Sequence, residues 1–103
     1  MLDPLQKQRA MVEKYPDSEL ARFNLGKAFY ERAEYQAAAA EFSWAVLRKP
    51  DWMTAQILLG KTRIGLGDQS GARAAFKAAL NLAISQKHEG PQLELEALLS
   101  QLN

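Results

Sequence analysis

Few side chains in this 103-residue sequence are placed to make or break a bond. The one histidine, His88, has no His, Cys or Asp near it at a metal-ligand spacing. Ser70 and Ser85 have no base in a neighbouring pattern that would activate a hydroxyl. Glu94 and Glu96 are two positions apart, and on a helix such side chains diverge, which makes a poor acid–base pair. No glycine-rich phosphate loop occurs. The lack of cysteine removes disulfides, thiolate zinc sites and cysteine nucleophiles. A non-enzymatic protein without cofactor or metal is therefore expected. What remains is recognition chemistry. Lys27 and Lys61 each follow the same dipeptide, Leu-Gly. Two ammonium groups in register suit an acidic peptide or a terminal carboxylate.

The register is not confined to the lysines. Leu25-Gly26-Lys27 returns as Leu59-Gly60-Lys61, Ala38, Phe42 and Ala45 return as Ala72, Phe76 and Ala79, and Pro16-Asp17 returns as Pro50-Asp51. Every one of these pairs is 34 positions apart. Self-similarity at one period marks a stacked repeat, because a single insertion between the landmarks would have destroyed it. The rest of the composition is that of an ordinary globular domain, 48% apolar and 24% charged with a net charge of +1. Such a balance lacks the basic footprint of a nucleic-acid binder. No basic, apolar leader opens the chain and no apolar run approaches the ~20 residues of a membrane helix. A cytoplasmic location is expected, with neither nucleic acid nor membrane as partner.

Helical periodicity runs through each unit. Ser18–Arg32 carries Leu25 and Phe29 at a four-residue interval that Ala33 continues just beyond it, with Asp17 or Ser18 as the cap. A second helix is expected over Tyr35–Arg48, ended by Pro50. In the next unit Asp51 is expected to cap a helix over Trp52–Leu66. Gly67 can take the positive φ of a helix end, and Asp68 can cap a helix from Gln69 to about Gln86 or Lys87. Asp3-Pro4 is a good start for a leading helix, and Gly90-Pro91 opens a last one through about Leu102. Gly26 with Ala38, and Gly60 with Ala72, should let the paired helices draw close while Phe42 and Phe76 fill the wedge between them.

On these residues the sequence resembles the tetratricopeptide repeat family, whose pattern is W-x2-L-G-x2-Y followed by A-x3-F-x2-A and a closing Pro, over a unit of about 34 residues. The first unit reads Arg22-x2-Leu25-Gly26-x2-Phe29, then Ala38-x3-Phe42-x2-Ala45 and Pro50; the second reads Gln56-x2-Leu59-Gly60-x2-Arg63, then Ala72-x3-Phe76-x2-Ala79. The match covers about two-thirds of the chain. Arg22 and Gln56 stand where the family often has Trp, Arg63 replaces an aromatic and Ile84 replaces the closing Pro, which suggests looser packing in the second unit. The resemblance implies an all-α fold, a right-handed superhelix (α-solenoid) of antiparallel helix pairs with about six helices. One domain over 1–103 is expected, with an N-terminal helix at 1–15, repeats at 17–50 and 51–84, and a capping helix at 90–103. Two repeats are fewer than a continuous core usually needs, so the terminal helices should supply the missing third.

In the family the first helix of each repeat lines a concave groove for a peptide or partner helix. Helical geometry alone sets Leu20, Phe23, Lys27 and Tyr30 on a face apart from the buried stripe, and Thr54, Ile57, Lys61 and Ile64 on the matching face. The candidate groove is therefore Phe23, Lys27, Tyr30, Ile57, Lys61 and Ile64. The competing reading is that Phe23, Ile57 and Ile64 pack one repeat on the next and the lysines are solvated. Members that clamp a heat-shock protein tail use a Lys/Asn/Arg set over three repeats, which only Asn24 and the two lysines resemble here. Trp44 and Trp52 can meet across the Pro50 turn, as a local staple or as an exposed patch. The last helix, with Leu93, Leu95, Leu98, Leu99 and Leu102, is richer in leucine than one buried face requires. An adaptor binding a protein or acidic peptide is the leading expectation. The alternative is a self-associating structural subunit, a weak homodimer through the C-terminal helix or the Trp44/Trp52 patch. RNA-reading repeats are a distant third, since one or two repeats near zero net charge give little affinity.

Overall fold

The computed structural model describes residues 3–102; Met1, Leu2 and Asn103, at the outer ends of the expected terminal helices, lie outside them. Six α-helices follow one another: α1 (Pro4–Lys14), α2 (Glu19–Glu31), α3 (Tyr35–Arg48), α4 (Met53–Gly65), α5 (Gln69–Ser85) and α6 (Glu89–Gln101). No strand occurs among the described residues. Each helix packs on the next in chain order, in a body 41 × 27 × 22 Å across.

The helix starts follow local chemistry. The Asp3 carboxylate accepts from the Gln6 amide N–H at 2.8 Å while Gln6 Oε1 accepts from the Asp3 N–H, a reciprocal capping box. Ser18 and Asp68 accept from the N–H groups of Ala21 and Gly71. Two expectations are corrected. The cap residue of α4 is Trp52, not Asp51, and it makes no side-chain cap bond. The last helix opens at Glu89, with His88 as its cap residue, rather than at Gly90-Pro91.

The turns repeat as faithfully as the helices. After α2, α4 and α5 one residue enters the left-handed region, Ala33 (φ 60°), Gly67 (φ 77°) and Lys87 (φ 59°). At each the same two bonds close the helix: Glu34 N–H to the Phe29 carbonyl and Ala33 N–H to that of Tyr30, with Asp68/Arg63 and Gly67/Ile64, then His88/Ala83 and Lys87/Ile84 in the same places. The α1–α2 connection reproduces the α3–α4 connection. Tyr15 (φ −130°, ψ 70°) matches Lys49 (φ −129°, ψ 77°), and their N–H groups bond to the carbonyls of Met11 and Ala45. The leading helix α1 therefore stands as the second helix of a unit. At the other end α6 stands as a first helix. It has 13 residues like α4, and Leu95 is buried where Leu59 is buried.

The core is set by ring against glycine. A Cβ on Gly26 would stand 2.8 Å from Phe42 Cε1, and one on Gly60 would strike the Phe76 ring still harder. Both rings are fully buried. Phe42 joins Phe23, Leu25, Phe29, Ala55 and Leu59 in one cluster, and Phe76 joins Ala72, Ala79, Ala83 and Leu95 in another. The second unit is not held by the wedge alone. Arg63, in the aromatic's place, donates from Nη1 to the Gly71 carbonyl at 3.1 Å and ties the two helices of the unit together. Without a proline at position 84, α5 runs 17 residues against the 14 of α3. At Gly65 the missing side chain makes room for the Tyr35 ring, 2.6 Å from where a Cβ would be.

Candidate functional site

The six residues expected to line a groove lie on α2 and α4. The structure separates them. Phe23 is 7% exposed, with its ring 4.4 Å from that of Trp52 and 5.7 Å from that of Phe42. That corrects the open position assigned to it: Phe23 is the packing between units. Ile57 is half-buried against the second core cluster. Tyr30 is half-buried and edge-on to Tyr35 at 5.7 Å. Ile64 is 41% exposed. Lys27 is exposed, its ammonium 5.6 Å from the Phe23 ring centroid, and it borders a depression of about 160 Å³ shared with Pro4 and Gln8 of α1 and with Asn24 and Glu31. Lys61 pairs with Glu94 of α6 at 3.2 Å, both side chains being partly exposed. A pair so open to water is worth ~0–1 kcal/mol, little enough for a competing carboxylate to replace it. Leu93, the α6 position that matches Phe23 and Ile57, is 68% exposed and adjoins Glu94 in the chain. Sequence reasoning missed this contribution of α6, because the match to α4 runs at 36 positions rather than 34.

The tryptophans do not meet as expected. Trp52 lies on Phe23, whereas Trp44 lies between two guanidinium groups, Arg22 at 4.9 Å and Arg48 at 4.3 Å from its ring. Arg22 also pairs with Glu41 at 3.1 Å in a largely buried bridge. No joint indole patch exists. Arg22 and Gln56 have a further role that the sequence signalled only through spacing. Arg22 Nε donates to the Pro16 carbonyl and Gln56 Nε2 to the Pro50 carbonyl, each at 3.2 Å and each six residues back. Where the family often has Trp, this chain pins the inter-unit proline turn with a polar side chain.

The residues with reactive groups lie apart. His88, Ser70, Ser85, Glu94 and Glu96 are all exposed, and Ser85 Oγ donates to the Leu82 carbonyl in its own helix. Among the described residues no three His, Cys, Asp or Glu side chains gather, and no helix is long and apolar enough to cross a membrane.

No protein-family model matches the chain. It is 31% identical over all 103 residues, and 95% of the relative's length, to TPR repeat-containing protein PA0015 of Pseudomonas aeruginosa. Among solved structures, protein BPP2914 from Bordetella parapertussis is 33% identical, with a TM-score of 0.82 over 99% of this chain and 89% of that one. PcrH, solved in complex with the chaperone binding region of PopD, is 21% identical with a TM-score of 0.86, over 95% of this chain and 74% of that one, and shares the fold. With its single repeat period, the Leu-Gly and Phe wedges and a curated relative matched end to end, this chain belongs to the tetratricopeptide repeat family.

Proposed function

We propose that this protein is an interaction module that takes a peptide or partner helix on the face of α2, α4 and α6, with acidic side chains of the ligand meeting Lys27 and Lys61. The observation that carries this reading is the weak, solvent-exposed Lys61–Glu94 pair beside the unpaired apolar Leu93 and Ile64. A ligand carboxylate can displace Glu94 at little cost and gain a charge-assisted hydrogen bond. Membership of the family and the protein ligand in the PcrH complex support a protein partner in general. With Phe23 buried and both Tyr30 and Ile57 half-buried against the core clusters, the most accessible of the six are Lys27, Lys61 and Ile64, joined by Leu93. The experiment is affinity capture from the native cell, followed by titration of the captured partner. Lys27→Glu with Lys61→Glu should weaken binding at least about tenfold, the loss of one charge-assisted bond or more, with helicity unchanged. Glu94→Gln frees Lys61 and should tighten it. A lysine variant that binds every partner normally removes this groove. The self-association expected through a Trp44/Trp52 patch has lost its patch, since each indole is engaged elsewhere.

A further inference from the structure

In each complete unit the first helix presents one line of residues to the second. Arg22 reaches Glu41, Gly26 receives Phe42, and Arg48 closes over Trp44 beside Arg22. The matching line on α6 is Glu89, Gln92, Glu96 and Leu99, on a helix that packs against α5. The matching line on α1, one repeat period before α3, is Lys7, Gln8, Met11 and Lys14. Lys7, Lys14, Glu89 and Glu96 are exposed, and Met11 is 40% exposed. The two lines are opposite in charge and complementary in order. In an antiparallel unit the start of the first helix meets the end of the second. The Gly26–Phe42 contact sets Glu96 against Gln8 and the Arg22–Glu41 contact sets Gln92 against Lys7, so Lys7 lies between Gln92 and Glu96 while Glu89 falls at the Lys14 end. At the wedge, where other units set Gly26 against Phe42, the Gln8 amide would donate to the Glu96 carboxylate.

We propose that these two lines dock on one another in a second copy of this chain, α6 of one molecule and α1 of the next forming a further repeat. The connection after α1 already has the backbone geometry of the connection after α3, so the helices beyond the new contact follow one another as α3 and α4 do. Such a contact is heterologous and does not close on itself, so association proceeds beyond a dimer. One helix pair buries little surface and its wedge is polar rather than aromatic, which makes the contact weak and sensitive to salt. The docking lines do not include the groove lysines, although Gln8 also borders the depression beside Lys27.

Sedimentation tests it. At low salt the average mass of the wild type should rise with concentration past that of a dimer and fall back toward the monomer in high salt. Reversing one line, by Lys7→Glu with Lys14→Glu or by Glu89→Lys with Glu96→Lys, should weaken association about tenfold while helicity holds. A chain carrying all four changes, in which both lines are swapped, should associate again. That rescue does not follow from a merely structural role or from misfolding. A wild type that stays monomeric at millimolar concentration overturns the proposal. So does a dimer that stops at two copies and ignores the α1 changes, which would be a symmetric contact of α6, and so does failure of the four-fold variant to recover.

Discussion

At the scale of single residues, the structure rests on a few positions where side-chain size or backbone sign leaves no choice. Gly26 and Gly60 are such positions, because the ring that would be struck is itself fully buried and has nowhere to go. Gly26→Ala gains ~1 kcal/mol of helix propensity but overpacks the wedge by ~1–3 kcal/mol, so the net expectation is destabilisation. Gly60→Ala should cost more, since Phe76 lies closer. Gly90, in α6, faces no ring beyond its chain neighbours; Ala there meets only the restriction that Pro91 places on the residue before it and should cost less than Gly60→Ala. Urea melts of the three variants check the order. Positive φ is the second such constraint. Ala33 occupies the turn position that Gly67 occupies one unit later, and a Cβ in the left-handed region costs ~1 kcal/mol. Ala33→Gly should therefore raise the melting temperature by a few degrees, about what ~0.5–1 kcal/mol gives a domain of this length, while Gly67→Ala lowers it. Equal melts for all three chains would mean that the turns carry no strain.

At the scale of elements, each helix is held at its ends by chemistry that differs from one unit to the next. Arg22 and Gln56 occupy one position in two units and bond the matching proline carbonyls, but only Arg22 adds a bridge, to Glu41. Arg22→Leu removes a charge-assisted partner and leaves a buried carboxylate unpaired, a loss of ~1.5–3 kcal/mol. Gln56→Leu removes one neutral bond and should cost ~0.5–1.5 kcal/mol. If the two cost the same, the Arg22–Glu41 bridge contributes nothing. The position held by Trp in much of the family is thus read differently here: a polar side chain bonds the proline turn, and Trp44 lies on the second helix between two arginines. Nothing in periodicity could assign that, because the bond to Pro16 or Pro50 exists only once the turn brings the carbonyl back over the helix.

At the scale of the whole molecule, a stack in which each helix touches its neighbours in the chain is nearly one-dimensional, so stability is a sum along the axis. The ends should open first. No residue of α1 is buried, whereas α3, α4 and α5 hold the fully buried Phe42, Thr62 and Phe76. Amide hydrogen exchange should be slowest in α3–α5 and fastest in α1, and uniform protection would show a more global cooperativity than a solenoid allows. Leu95 is the one buried residue of α6 and belongs to the Phe76 cluster. Leu95→Ala should cost ~2–5 kcal/mol and raise exchange in α5 as well as α6. Confinement of the effect to α6 would show that the last helix is a lid and not part of the core.

The repeat period, the glycine–phenylalanine wedges and the caps at Asp3 and Asp68 were determined by sequence, because each depends on residues near in the chain or on an interval that a helix pair must keep, whereas the choice of Ser18 over Asp17 came with the structure. Family and architecture followed from them. Which of the six candidate residues are accessible was decided only by tertiary structure. Helical geometry gives the direction in which Phe23 and Lys61 leave their helices, and it says nothing of what waits there. The Trp52 ring, 29 positions on, closes over Phe23, and Glu94, 33 positions on, reaches Lys61. The assignment of α6 as a third first-helix was hidden for a related reason. The longer α5 moves the register of α6 by two positions, a shift that breaks the sequence period while Leu95 still enters the core as Leu59 does.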